Sequence, residues 1–202
     1  MFWNWFRMLF DASDAPEQWV VNVEEAIEGL FSRYPYARKL GRLTDPGEFD
    51  ALHPKVQKLI PGWYKRLLIN YPIAGLPIGI PFDFGWESLQ GRPVDELPLT
   101  EIVFHDAAEI AQSSTKYFPG YRLVNYGYIT IAKQNEGSED EVFIRSKDPN
   151  PKPFIVFHEA GDSKEELLSG AFKPTDSFSS FIKLAKIPNF HIELTDSNRE
   201  PR

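Results

Sequence analysis

Three short runs of strand-forming residues, separated by gaps too short for a crossover helix, constrain this fold more than any other feature. They cover residues 126–132, 141–146 and 153–158. Tyr, Ile, Thr, Val and Phe fill these runs, and such side chains suit a pleated, half-buried surface. The connecting segments are rich in Gly, Asn, Asp, Ser and Pro, which favour turns. Because parallel strands need longer connections, the sequence predicts an antiparallel meander.

Apolar residues at helical spacing predict amphipathic helices on both sides of this meander. A strand over residues 101–105 is followed by Asp106 and Glu109, the spacing of a helix capping box. Residues 74–84 alternate Pro and Gly with large apolar residues, which predicts an edge strand or an extended connection. The chain is therefore expected to be an α+β domain, with an antiparallel sheet, helices packed on one side and an N-terminal helical extension. The helical stripes are Val20, Val23, Ile27 and Leu30, then Tyr64, Leu67, Leu68 and Tyr71, and finally Phe178, Phe181, Ile182 and Ala185.

Composition excludes several functional classes. The 202 residues contain no cysteine, which removes disulfides, thiolate catalysis and Cys-ligated zinc. No apolar run approaches the roughly 20 residues needed to span a bilayer, and no signal-peptide pattern is present, so we expect a cytoplasmic protein. The formal charge of −7 argues against sequence-independent binding to nucleic acid. An acidic surface is the expected complement of a basic partner, unless it serves only solubility.

Motifs for catalysis and metal binding are missing from the sequence. The four histidines form no HExxH pair, although His105 and His158 each end a predicted strand and could approach each other in the sheet. There is no GxSxG nucleophile elbow, and the acidic run at residues 136–141 lacks the alternation of a calcium-binding loop. We therefore expect a protein that is not an enzyme, with no catalytic residue, metal or cofactor.

Acidic and aromatic side chains are the candidates for contact with a partner. One acidic group precedes the second predicted strand of the meander and another follows the third, and if the two loops lie near each other they would form a negatively charged edge. The alternative is a pair of solvated loops. Aromatic side chains dominate binding hot spots, but they also fill small cores. The candidate residues are Glu136, Glu139, Asp140, Asp162 and Glu165 among the acids, and Trp63, Trp86, Tyr121 and Tyr126 among the aromatics.

The order of several short segments resembles the SUKH superfamily. An Ile60-Pro61 step opens an amphipathic helix containing Trp63 and Tyr64, and FHDAAEI follows at residues 104–110. FPG at residues 118–120, PFIVFH at 153–158 and SFSSFI at 177–182 then occur in the expected sequence. The resemblance spans roughly residues 60–185. The chain departs from the superfamily in its loop 135–140, which lacks the usual Gly-Asp pairs.

The resemblance implies a division of the chain and a function. Residues 1–55 would be the helical extension, 56–188 the SUKH-like domain and 189–202 a C-terminal tail. The superfamily includes bacterial immunity proteins, whose toxins are often nucleases, and fungal regulators of cell-wall glucan synthesis. The expected function is therefore occlusion of a cognate, basic toxin by a non-enzymatic binding domain. The alternatives are a regulatory scaffold in cell-wall synthesis and an uncharacterised hydrolase or metal enzyme.

Overall fold

The sheet is a five-stranded antiparallel meander. The computed structural model describes residues 17–81, 97–135, 140–159 and 161–188. Each strand pairs with the next in chain order, which confirms the predicted α+β fold and its meander. Residues 124–126 form a turn of 3-10 helix that Gly127 ends at a φ of 82°, so β3 begins later than the apolar run does. The strands are β1 (Pro77–Pro81), β2 (Leu99–Phe104), β3 (Tyr128–Gln134), β4 (Glu141–Arg145) and β5 (Phe154–Val156).

Helices precede, interrupt and follow the sheet. Within the described residues, none is long and apolar enough to cross a membrane. A second turn of 3-10 helix covers Pro35–Lys39. The α-helices are α1 (Gln18–Arg33), α2 (Pro46–Asp50), α3 (Pro54–Leu59), α4 (Gly62–Asn70), α5 (Ala107–Thr115), α6 (Gly120–Leu123), α7 (Lys164–Ser169) and α8 (Phe178–Leu184).

Capping boxes define several of these helix starts. The predicted box at α5 is confirmed: Glu109 N–H donates to Asp106 Oδ1 at 2.8 Å, and Asp106 N–H donates to Glu109 Oε2 at 3.0 Å. Two short helices that the sequence patterns above do not predict begin with the same capping box. These are α2, capped by Asp45, and α7, capped by Ser163. In the sequence, the acidic and polar residues of these segments look like those of a turn. In the structure, they accept hydrogen bonds from the first N–H groups of a helix.

The main core lies between one face of the sheet and a layer formed by α1, α4 and α8. Phe178 of α8 is fully buried, and its ring meets Tyr64 of α4 at 6.1 Å and Phe104 of β2 at 6.5 Å between centroids. Ile27 of α1 belongs to the same apolar cluster, as do Phe49 and Val56. The described part of the predicted extension therefore shares the core of the sheet.

A smaller cluster covers part of the opposite face of the sheet. Phe143, Phe154 and Val156 alternate along β4 and β5 with the residues of the main core. They pack against Leu123 of α6 and Leu167 of α7. Helices α6 and α7 are thereby fixed beside the strand pair β4–β5.

Both outer strands are partly covered by the segment that follows β5. Gly79 of β1 exchanges two backbone hydrogen bonds with Lys186, at 2.7 and 2.9 Å. At the other edge, Ile155 of β5 exchanges two with Phe172, at 2.8 and 2.9 Å. These hydrogen bonds satisfy backbone N–H and C=O groups on the two outer strands. The same groups would otherwise be free to pair with a strand of another chain.

Candidate partner-binding site

The register of the sheet places one member of the first predicted acidic group, Asp140, beside the end of β5. Glu141 lies opposite Val156, so Asp140 faces the end of β5. Asp140 Oδ1 accepts a hydrogen bond from the His158 backbone N–H at 3.1 Å and lies 3.1 Å from the ring Nδ1. The Asp140 side chain is 12% exposed, whereas that of Glu159 is 88% exposed. Asp140 therefore holds the end of β5, and Glu159 carries the outward charge.

Asp162 and Glu165 lie at the start of α7 and are exposed. Glu166 closes the capping box: its Oε2 accepts hydrogen bonds from the Ser163 N–H at 3.0 Å and hydroxyl at 2.8 Å. These bonds lower the pKa of Glu166 below its ordinary value, so it stays charged as the acceptor of the capping box. We call the three outward carboxylates, those of Glu159, Asp162 and Glu165, the acidic edge.

Trp63 packs in the helical layer. Its ring lies 5.2 Å from that of Trp19, 5.4 Å from Tyr64 and 5.3 Å from Phe178. Of the two interpretations of this tryptophan, the geometry favours core packing, because neighbouring helices cover a side chain that lies off the main stripe of α4. The remaining predicted contacts Glu136, Glu139 and Trp86, together with the segments 1–10 and 189–202, lie outside the described residues.

A second surface carries exposed tyrosines with cations beside them. Tyr117 is 55% exposed and Tyr126 is 52% exposed, with Tyr121 between them on α6. The guanidinium carbon of Arg122 lies 5.3 Å from the centroid of the Tyr121 ring, and Lys164 Nζ lies 4.9 Å from that of Tyr126. We call this surface the tyrosine face.

Sequence reasoning identified only part of the tyrosine face. Tyr121 and Tyr126 were predicted contacts and are exposed, but Tyr117 was not singled out. The cations were missed because two of them come from distant elements, Lys55 from α3 and Lys164 from α7. The available signal was local: Tyr117 and Tyr121 are four residues apart on either side of a Pro-Gly step.

A polar cluster at α5, in which His105 and Ser113 are buried and Glu109 is partly exposed, was also missed. His105 Nε2 lies 3.3 Å from Ser113 Oγ, and Nδ1 lies 3.7 Å from Glu109 Oε2. The spacing of four residues between successive members was the signal in the sequence. The order matches that of a hydrolytic triad, but Ser113 is 5% exposed and Gly120 packs against its carbonyl oxygen. The cluster therefore fixes α5 against β2 and β3.

The 3.7 Å between His105 Nδ1 and Glu109 Oε2 exceeds hydrogen-bond distance. Interaction with His105, helped by the Asp106 N–H and by Lys133, lowers the pKa of Glu109 to about 2. Glu109 is therefore ionised at neutral pH. It contributes to stability wherever its unfolded form would also be ionised.

The two strand-ending histidines do not meet. In the antiparallel register, β2 and β5 run in opposite directions, so His105 and His158 leave opposite ends of the sheet. The idea that they approach each other is therefore wrong. Among the residues that the structure describes, no group of three His, Cys, Asp or Glu side chains is placed to hold a metal ion.

Comparison of the chain with protein-family models, with curated proteins and with solved structures found no match. Function is therefore inferred from the residues and from the surfaces just described.

Proposed function

We propose that this chain is a non-enzymatic, SUKH-type binding domain that neutralises a basic bacterial toxin by occluding the toxin's active surface. One observation supports the family in particular: the segments that carry the resemblance meet in one core. Tyr64 follows the Ile-Pro step, Phe104 opens FHDAAEI and Phe178 lies in SFSSFI. All three side chains are fully buried, and the Phe178 ring lies within 6.5 Å of the other two.

The acidic edge supplies the means of recognition. The carboxylates of Glu159, Asp162 and Glu165 project from the end of β5 and the start of α7, on a chain of formal charge −7. Exposed charges of one sign accelerate encounter with an oppositely charged partner over about a Debye length, roughly 8 Å at physiological salt. They act mainly on the association rate. Binding would therefore be fast at low salt and slower as salt is added.

The deciding experiment co-expresses the chain with the product of each gene adjacent to its own, and measures growth and co-elution. Protection of the cells from a toxic, basic neighbour, with which the chain co-elutes, is the expected result. Protection that requires turnover of a small molecule would contradict occlusion. Co-elution with a cell-wall synthesis enzyme, without protection from any neighbour, would assign the scaffold function instead.

Charge reversal tests the role of the acidic edge. The double variant Asp162→Lys with Glu165→Lys should slow association with the toxin by about tenfold. The control Glu25→Lys with Asp176→Lys changes the net charge equally at exposed sites on α1 and before α8. If both double variants slow association to the same extent, net charge alone acts and the acidic edge has no particular role.

A further inference from the structure

The tyrosine face lies in one of the long parts of this acidic chain that contain no acid, and Lys55 lies in another, residues 51–82. The sequence has 29 Asp and Glu residues, yet none occurs between Glu109 and Glu136. That interval contains Lys116 and Arg122 beside the exposed tyrosines. The face is therefore positive on a protein whose overall charge is negative.

Three separate elements bring cations to this face. Arg122 belongs to α6 and stacks over Tyr121. Lys55 reaches from α3, and its Nζ donates a hydrogen bond to Asn125 Oδ1 at 2.8 Å. Lys164 reaches from α7 to the ring of Tyr126. The cations are thereby held around the tyrosines by contacts between elements distant in sequence.

We propose that the tyrosine face binds an acidic segment of a second protein, at a surface separate from the acidic edge. Carboxylates of the partner would pair with Lys55, Arg122 and Lys164, while its apolar side chains cover Tyr117 and Tyr126. Tyrosine and arginine are the residues most often found at binding hot spots, because they bury a large area and retain a polar tip. A tyrosine hydroxyl also donates well to a carboxylate.

The arrangement of the rings favours a protein over a single-stranded nucleic acid. Recognition of single strands depends on open aromatic faces on which bases stack. Here Arg122 lies over one face of the Tyr121 ring and Lys164 over one face of the Tyr126 ring, so a cation already occupies one face of each. Tyr117 and Tyr126 nevertheless remain more than half exposed.

The acidic edge borders this face at α7, because Lys164 lies between Asp162 and Glu165 in the sequence. An acidic segment would therefore approach from the side of α3 and α6. Reversing Asp162 and Glu165 to Lys should leave its binding unchanged or strengthen it. The same variant should weaken capture of a basic toxin, so the two proposals can fail independently.

The test uses a fluorescein-labelled peptide in which Glu alternates with Leu, a matched peptide with Gln in place of Glu, and single-stranded oligothymidine. Fluorescence anisotropy measures the binding of each to the full chain. The Glu peptide should bind at least about tenfold more tightly than the Gln peptide. That preference should shrink as sodium chloride is added. Equal binding of the two peptides, or tighter binding of the oligonucleotide, would overturn the proposal.

Two pairs of variants locate the binding surface. Lys55→Glu with Arg122→Glu should weaken binding of the Glu peptide about tenfold, and Tyr117→Ala with Tyr126→Ala should do the same. The control Lys39→Glu with Lys183→Glu reverses two exposed cations away from the tyrosine face, one in the 3-10 turn after α1 and one on α8. It should change binding by less than about twofold. Circular dichroism and the urea midpoint confirm that each variant is folded. Equal losses in the charge variant and its control would refute the assignment of the site.

Discussion

Phe178 offers the sharpest test of how the helices and the sheet are joined. Its side chain is fully buried, and the rings of Trp63, Tyr64 and Phe181 lie 5.3, 6.1 and 6.2 Å away. Replacing a buried Phe by Ala costs about 3–5 kcal/mol through lost transfer energy and the cavity that remains. Each favourable ring pair adds about 0.5–1.5 kcal/mol beyond burial. Phe178→Ala should therefore lie at the upper end, about 4–5 kcal/mol.

This cost is a large part of the roughly 5–15 kcal/mol that stabilises a typical domain. Phe178→Leu provides a measurable companion, because it keeps most of the apolar volume and should cost about 1–2 kcal/mol. Urea unfolding, followed by tryptophan fluorescence to which Trp63 and Trp19 contribute, gives both free energies of unfolding. It also tests whether the dependence of that free energy on urea concentration is unchanged. The surface variant Tyr117→Ala should stay within about 0.5 kcal/mol of the wild type. A loss of less than about 1 kcal/mol for Phe178→Ala would refute the shared core.

Three further changes should have distinct signatures. Gly29→Ala should stabilise α1 by about 0.5–1 kcal/mol in urea unfolding, because no atom lies within 4 Å of the added Cβ. Gly120→Ala should cost about 2 kcal/mol or more, since its Cβ would lie 1.9 Å from the Ser113 carbonyl oxygen. Glu109→Gln should reduce the stability lost between pH 4.5 and about 2, because the folded state lowers the pKa of this carboxyl. Arg42→Met, which breaks an exposed ion-pair network joining two helix caps, should cost about 0.5–1 kcal/mol, and less as salt is added.

Opposite outcomes are informative in each case. Equal effects at the two glycines would mean that α6 does not press against α5 as described. For the carboxyl at position 109, the sign is fixed: its contribution is complete above the unfolded pKa and disappears as pH falls through the folded one. If Glu109→Gln loses as much stability in acid as the wild type does, that result would contradict the interaction of Glu109 with His105. A salt-independent cost at Arg42 would indicate lost packing of its stem.

Local patterns were enough to predict most of the framework. The stripes of α1, α4 and α8 are buried as predicted except for Tyr71, which follows α4 and is only partly buried. They were predictable because 3.6-residue periodicity is a property of a single segment. Strand composition with short gaps likewise led to the antiparallel meander. The short helices α2 and α7 were missed, because at five and six residues they contain little beyond their capping boxes.

The surfaces were less predictable because they are assembled from distant parts of the chain. Trp63 is covered by Trp19 and Phe178, neither of which is close to it in sequence. Lys164 meets Tyr126 only because α6 and α7 pack on the same pair of strands. Asp140, a predicted partner contact, is instead drawn inward by His158. Periodicity within one segment carries no information about contacts between residues that are distant in sequence.

The two backbone bridges at Phe172 and Lys186 have a consequence for biosynthesis. Every strand of the meander is synthesised before either bridging residue, so a nascent chain can pair its strands while both outer ones are still open. During that interval β1 and β5 can recruit a strand from a neighbouring nascent chain. A chain that stops before Phe172 leaves the outer edges of both β1 and β5 uncovered. A chain that stops between Phe172 and Lys186 leaves only the outer edge of β1 uncovered. Premature termination should therefore yield aggregates whose severity depends on which of the two residues has been made.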